Sequence, residues 1–193
     1  MPFAESDKMI NDQCTISNLA SKLNRGSLAL FPTDTVPALS AYPKYSKEIW
    51  NIKKRSSKKP LILMGGSLDD LFEFVKPCAI EDGLKLARIY WPGALTIVLP
   101  TIGNFSNNLN CNSDSLGFRV PALKMARDLL ARTGPLATTS ANISGNAPVK
   151  DASEASIQFP GIPLLSPVPW PKSSGVASTV VEWNDGEWNL LRA

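Results

Sequence analysis

The stretch Lys53-Lys54-Arg55-Ser56-Ser57-Lys58-Lys59-Pro60-Leu61 places five basic side chains in nine residues. Such a density of Lys and Arg holds anions, phosphate or carboxylate, by charge and by multiple donors. Residues 44–60 carry seven Lys or Arg against one Glu, a local balance of +6 in a chain whose net charge is +3, so the remainder sums to −3. The cationic field is therefore local. A solvated basic face is the other reading of such a run. If the segment is extended, the period of two puts Lys53, Arg55, Ser57 and Lys59 on one face, aimed at one cleft. The apolar run Leu61-Ile62-Leu63-Met64 is the strand on which it hangs.

Three further places carry residue types suited to a site. Thr33-Asp34-Thr35-Val36-Pro37-Ala38-Leu39 reads as a loop leaving the apolar strand Leu28-Ala29-Leu30-Phe31, where α/β proteins place ligands. Turn formation is the alternative role for its Thr and Asp. Leu136-Ala137-Thr138-Thr139-Ser140-Ala141-Asn142-Ile143-Ser144-Gly145 begins as a strand and ends as a loop, with Thr138, Ser140 and Asn142 on one side. Three neutral donors in a row are costly in a dry core unless paired, which favours the wall of a polar site over a hydroxyl-rich edge strand. Arg119 stands alone in the apolar Leu116-Gly117-Phe118-Arg119-Val120. Its planar fork suits a carboxylate if it faces a cleft, and solvent if it lies on an edge.

There is no histidine in the chain. That removes Ser-His-Asp and Cys-His machinery and the usual imidazole zinc sites. Cys14, Cys78 and Cys111 are odd in number and far apart, so free thiols are expected, with neither a disulfide framework nor a metal site. What chemistry there is must come from charge and positioning. Phosphoryl and nucleotidyl transfer fit that restriction. A binding protein without chemistry fits it equally.

The elements that must position these residues alternate. Ile16, Leu19, Ala20 and Leu23 recur at helical spacing before Gly26; residues 45–54, a segment from Ser67 with a Ser67–Asp70 capping box, 81–90, 122–132 and 151–159 also read as helices. Strands are expected at 28–31, 61–64, 95–99, 116–120, from 136, and at 162–165, and Asn184-Asp185-Gly186 joins 178–183 to 187–192 as a hairpin. Residues 101–114 and the Pro-rich 167–177 read as loops, the latter free to move. The pattern is α/β: a single domain over 1–193, with a twisted, open, mixed sheet and helices on its faces. With 193 residues, 44% of them hydrophobic, one core suffices. No apolar run reaches the roughly 18 residues of a membrane span. Met1-Pro2-Phe3-Ala4-Glu5 lacks the features of a signal peptide, so a soluble, cytoplasmic protein without a membrane partner is expected.

Taken together, the chain resembles the YrdC-like domain of the threonylcarbamoyl-AMP synthase family. The resemblance spans nearly the whole chain. It rests on Phe31-Pro32-Thr33-Asp34-Thr35-Val36, Lys53-x-Arg55 with Lys59-Pro60-Leu61, Trp91-Pro92-Gly93-Ala94-Leu95-Thr96, and Arg119-Val120-Pro121. Thr139-Ser140-Ala141-Asn142-Ile143-Ser144-Gly145, Ser178-Thr179-Val180-Val181 and Leu191-Arg192 complete the set in order. The resemblance implies an α/β fold with a positively charged cleft. The implied activity is a nucleotidyltransferase that joins L-threonine, bicarbonate and ATP into threonylcarbamoyl-adenylate and pyrophosphate, with Mg2+ accompanying ATP. That product serves N6-threonylcarbamoyladenosine formation in tRNA. Implied partners are therefore a downstream transferase machinery and tRNA or double-stranded RNA. It further implies a catalytic group of Lys53, Arg55, Ser140 and Asn142, threonine contacts from Thr35, Arg119, Thr138 and Ser178, and ATP contacts from Arg55, Lys59, Ser115, Asn142 and Arg192. A non-catalytic relative that binds RNA in the same cleft is the second reading. The chain departs from the family pattern at Pro37-Ala38-Leu39, where Tyr-Gly-Leu is usual, and at Met64 and Leu123, where histidines are common.

Overall fold

The computed structural model describes residues 13–103, 105–109 and 113–193; the expectation for Cys111, and that for the first five residues, lie outside them. In chain order the elements are β1 (Gln13–Cys14), α1 (Ile16–Asn24), β2 (Ala29–Phe31), β3 (Ala38–Ala41), α2 (Lys47–Lys53), β4 (Ile62–Met64), α3 (Asp69–Phe72) and α4 (Pro77–Tyr90). There follow β5 (Leu95–Pro100), β6 (Ser115–Arg119), α5 (Lys124–Thr133), β7 (Leu136–Ser140), α6 (Ala152–Gln158), β8 (Leu164–Leu165), β9 (Thr179–Asn184) and β10 (Glu187–Arg192).

Local chemistry sets the ends of several elements. Thr15 caps α1 by accepting from the Asn18 amide, and Gly26 (φ +93°) takes the chain past its end in a backbone region that favours glycine. Ser67 and Asp70 form the reciprocal box expected ahead of α3, amide to carboxylate at 2.9 Å and amide to hydroxyl at 3.3 Å. Asp185 (φ 48°) and Gly186 (φ 94°) give the β9–β10 hairpin the left-handed pair that an Asp-Gly turn supplies.

The strands form one mixed sheet in the order β1-β8-β2-β3-β7-β4-β6-β5-β9-β10. β4 runs parallel to β6, and β5 to β9, whereas β3–β7, β7–β4 and β6–β5 are antiparallel. Register divides the side chains into two faces. Leu39, Ala137, Leu63, Phe118 and Ile97 share one face with α2 and α4, in a core that includes Ile49, Trp50, Ala79 and Ala87. On the other face, Phe31, Ala38, Met64 and Leu136 pack against Leu19 and Leu23 of α1 and Ala126, Leu129 and Leu130 of α5. These helices cover the β1–β8–β2–β3–β7 end and reach Met64 at the end of β4. Over the rest of β4 and over β6, β5 and β9 that face stays open, and the cleft described below lies there.

Two expectations are corrected. The loop read over Thr33–Leu39 ends early, because Ala38–Ala41 is a strand buried along its whole length between β2 and β7. Its small residues, without alternation, hid it. Residues 53–59 do not share an extended face: Lys53 is the last residue of α2 and is buried, Lys54 turns the chain in a left-handed conformation (φ 50°), and Ser57, Lys58 and Lys59 are exposed. A helix end followed by a turn breaks the period of two.

Candidate active site

The open part of the sheet floors a cleft of about 420 Å³. Cross-strand register explains its composition. Ser140 faces Ala38, Thr138 faces Ile62, Ile62 faces Gly117, Met64 faces Arg119, Gly117 faces Val98, Val98 faces Glu182 and Thr96 faces Val180. Each belongs to the same side of the pleat, and each lines the cleft. Gly117 sits in a tight place: a Cβ there would be 3.0 Å from Ile62 Cγ2 and 3.1 Å from Thr96 Cγ2.

Arg119 is buried at the cleft wall, and its fork is oriented from three directions. Nε donates to the Gly93 carbonyl at 3.0 Å, Nη1 to Thr35 Oγ1 at 2.7 Å and Nη2 to Asp34 Oδ2 at 2.8 Å. Asp34 Oδ1 in turn accepts from the Ala122 amide. Thr33 gives its hydroxyl proton to the Val36 carbonyl at 2.7 Å, so Thr35 is the donor in the 3.0 Å Thr33–Thr35 contact. The relay Arg119, Thr35, Thr33, Val36 locks the loop below the cleft. Burial lowers the Arg119 pKa from its ordinary value, against the opposing pull of Asp34.

Lys53 occupies a different environment. It is 1% exposed, does not itself line the cleft, and donates from Nζ to the Ser140 carbonyl and, at 2.9 Å, to Asn142 Oδ1. Ser140 Oγ donates to the same Asn142 oxygen at 2.6 Å, while the Asn142 amide reaches the carbonyls of Ile143 and Asn146. Burial, and then the neighbouring Arg55 charge, lower the Lys53 pKa to about 7. Arg55 lines the cleft, with Nη1 on Thr139 Oγ1 at 3.0 Å and Nη2 on the Pro60 carbonyl at 3.1 Å. Its Nε is buried with no partner among the described residues.

At the far end, Ser178 is buried against Thr96 through a 2.8 Å hydroxyl pair, and Arg192 directs Nε and Nη2 onto the Ser178 carbonyl at 3.0 and 2.8 Å. The Pro-rich segment is tied down at three points. Trp170 Nε1 donates to the Leu165 carbonyl, the Ser174 amide to the Asp34 carbonyl and the Gly175 amide to the Thr35 carbonyl.

Of the residues expected at a site, Thr35, Arg55, Arg119, Thr138, Ser140, Ser178 and Arg192 line the cleft together. Lys53 and Asn142 lie behind its wall, joined to Ser140. Ser115 is on the cleft face of β6 by register with Gly117, its amide bonded to Ser113 Oγ. Lys59 is exposed, and its carbonyl accepts from Trp50 Nε1. Sequence reasoning places Thr33 and Asp34 in a candidate ligand loop without a role of their own, and does not single out Thr96, Gly117 or Glu182. The period of two within 95–99 and 116–120 would have raised Thr96 and Gly117, had the strand order been known.

The Sua5/YciO/YrdC family model, described as "Telomere recombination", matches residues 21–193. The chain is 30% identical over 192 residues to a threonylcarbamoyl-AMP synthase of Bacillus subtilis (strain 168), covering 97% of this chain and 55% of that protein. It is 34% identical over 142 residues to a threonylcarbamoyl-AMP synthase of Blochmanniella floridana, covering 70% of this chain and 75% of that one. Among solved structures, P. abyssi Sua5 complexed with L-threonine superposes with a TM-score of 0.80 at 31% identity, over 92% of this chain and 53% of that chain. E. coli YciO shares the fold, with a TM-score of 0.77 at 20% identity. The chain thus spans about half the length of the B. subtilis and P. abyssi proteins. A family model that matches from within α1 through β10, with a relative 34% identical over three quarters of its length, makes this chain a member of the Sua5/YciO/YrdC family.

Proposed function

We propose that the chain is a cytoplasmic threonylcarbamoyl-AMP synthase, a nucleotidyltransferase that uses L-threonine, bicarbonate and ATP. The observation that supports this most is the pairing of two environments in one cleft: a buried, pre-oriented Arg119 beside Thr35 and Ser178, and a second cation, Arg55, beside Ser140. The first suits an amino acid. Nη1 and Nη2 of Arg119 each carry a second proton beyond those given to Thr35 and Asp34, available to a substrate carboxylate. The second suits a triphosphate, whose oxygens would accept from the Arg55 Nη1 and Nη2 protons not given to Thr139 and Pro60.

In this reading the threonine amine and bicarbonate form a carbamate with loss of water. A carbamate oxygen then attacks the α-phosphorus, and pyrophosphate leaves. Lys53 and Asn142 hold Ser140 from behind, Thr138 adds a hydroxyl to the amino-acid end, and Ser115, Lys59 and Arg192 serve the nucleotide. Magnesium enters as part of the nucleotide substrate. The adenylate would pass to a transferase acting on tRNA, with exposed Lys54, Lys58 and Lys59 beside the cleft offering charge to RNA phosphates.

The test is pyrophosphate release from ATP with threonine or bicarbonate omitted in turn. Release that requires both supports the synthase; equal release without threonine removes it. Serine is expected to be poorer, since one methyl in a pocket is worth about 1–3 kcal/mol of discrimination.

A further inference from the structure

Glu182 has no part in the reaction just proposed. It nevertheless sits on the cleft face of β9, opposite Val98 and two residues from Val180. Among the described residues that line the cleft it is the one acid, in the company of Arg55, Arg119 and Arg192. It is half-buried, and among the described residues no ion pair or hydrogen bond engages its carboxylate. Arg192, paired to Val180 across the hairpin, directs its fork to the Ser178 carbonyl instead.

A carboxylate in an anion-binding cleft repels phosphate, so it belongs against the uncharged part of the substrate. Val98, across from it, and Val180 and Leu191 near it on the hairpin offer apolar surface for a nucleoside. β9 is two strands from β6, about 10 Å, so Glu182 and Arg119 occupy separate stations on the floor. A nucleoside has two kinds of donor. The adenine amino group is flanked by acceptor nitrogens, which would oppose the second carboxylate oxygen. The vicinal ribose hydroxyls offer two donors to two oxygens, the match by which an acid reads ribose in dinucleotide-binding folds.

Resting on the nucleotide reading above, we propose that Glu182 accepts hydrogen bonds from the 2′ and 3′ hydroxyls of the bound nucleotide and makes the site selective for ribonucleotides. The experiment measures binding of ATP, 2′-deoxy-ATP, 3′-deoxy-ATP and GTP by calorimetry, with and without Mg2+, for the wild type, Glu182→Gln and Glu182→Ala. Pyrophosphate release is followed in parallel. The wild type is expected to favour ATP over either deoxy analogue by about tenfold or more, the size of a lost hydrogen bond to a charged group. Both variants should bring the ratios to within about twofold, and Glu182→Ala should bind inorganic tripolyphosphate more tightly, having lost a like charge.

An unchanged ATP to deoxy-ATP ratio in the variants overturns the proposal. So does a change confined to Mg2+ dependence, which makes Glu182 a cation ligand, or one confined to the ATP to GTP ratio, which makes it a base reader. A wild type that binds no ATP overturns it as well. A protein that binds ATP but releases no threonine-dependent pyrophosphate removes the synthase reading, and the binding ratios still decide the role of Glu182.

Discussion

Arg119 Nη2 lies 2.8 Å from Asp34 Oδ2, with the arginine side chain 4% and the aspartate 19% exposed. The pair binds the end of β6 to the loop after β2, and the carboxylate also holds the Ala122 amide. Removing one partner of such a pair leaves an uncompensated buried charge, at a cost of about 3–5 kcal/mol. Asp34→Ala is therefore expected to lower the melting temperature by roughly 6–20 °C, at about 2–4 °C per kcal/mol for a domain of this size, and Asp34→Asn by less. Thermal unfolding checks this; an unshifted transition would show that the guanidinium finds other compensation.

Lys53 makes stability depend on pH. Its folded-state pKa, near 7, is below the 10.5 of an ordinary lysine. The unfolded chain therefore binds more protons between those values, and stability rises with pH across that window. The contribution is fully present above pH 10.5 and is lost as pH falls through 7. Urea denaturation at pH 6.5, 8 and 9.5 should show increasing free energy for the wild type and a flatter profile for Lys53→Met. Parallel profiles would remove Lys53 as the source.

Arg55→Lys keeps a positive charge but loses the fork that reaches Thr139 and Pro60 at once. Turnover should fall by roughly tenfold or more, with a change in stability of about 1 kcal/mol or less. A fully active variant would mean that only bulk charge matters there. A large drop in melting temperature would make Arg55 a residue of the fold.

Gly117→Val would thrust a branched side chain between Ile62 and Thr96, where even a Cβ is tight. Overpacking of this kind costs typically 1–3 kcal/mol. The added methyls would also rise into the cleft floor, so nucleotide affinity should fall by more than stability alone explains. Calorimetric titration of ATP against a variant shown to be folded separates the two effects.

The amphipathic helices and the β9–β10 hairpin were legible because their information is local: helical spacing before Gly26, and an Asp-Gly turn between β-rich runs. β3 was not, since four small or apolar residues, all buried, show no period of two. The site was half legible. Thr35, Arg119 and Ser178 belong to motifs, but their meeting depends on a strand order in which β4, β6, β5 and β9 are neighbours although far apart in sequence. The inward turn of Lys53 was hidden for another reason: a lysine in a basic run reads as solvated, and its burial depends on Ser140 and Asn142, nearly ninety residues away. Both a ligand-loop role and a turn role stayed open for Asp34, because its partner lies on another strand.

The backbone bonds from Ser174 and Gly175 to Asp34 and Thr35, together with the parallel pairing of β5 with β9, span most of the chain. During synthesis, the N-terminal loop emerges from the ribosome long before the segment that clasps it, and β5 waits with an unpaired edge until β9 arrives. Closure of so large a loop is slow and exposes apolar strand meanwhile. The finished cleft is thus among the last features to form, and an arrested chain ending before residue 174 should bind a chaperone sooner than it binds a nucleotide.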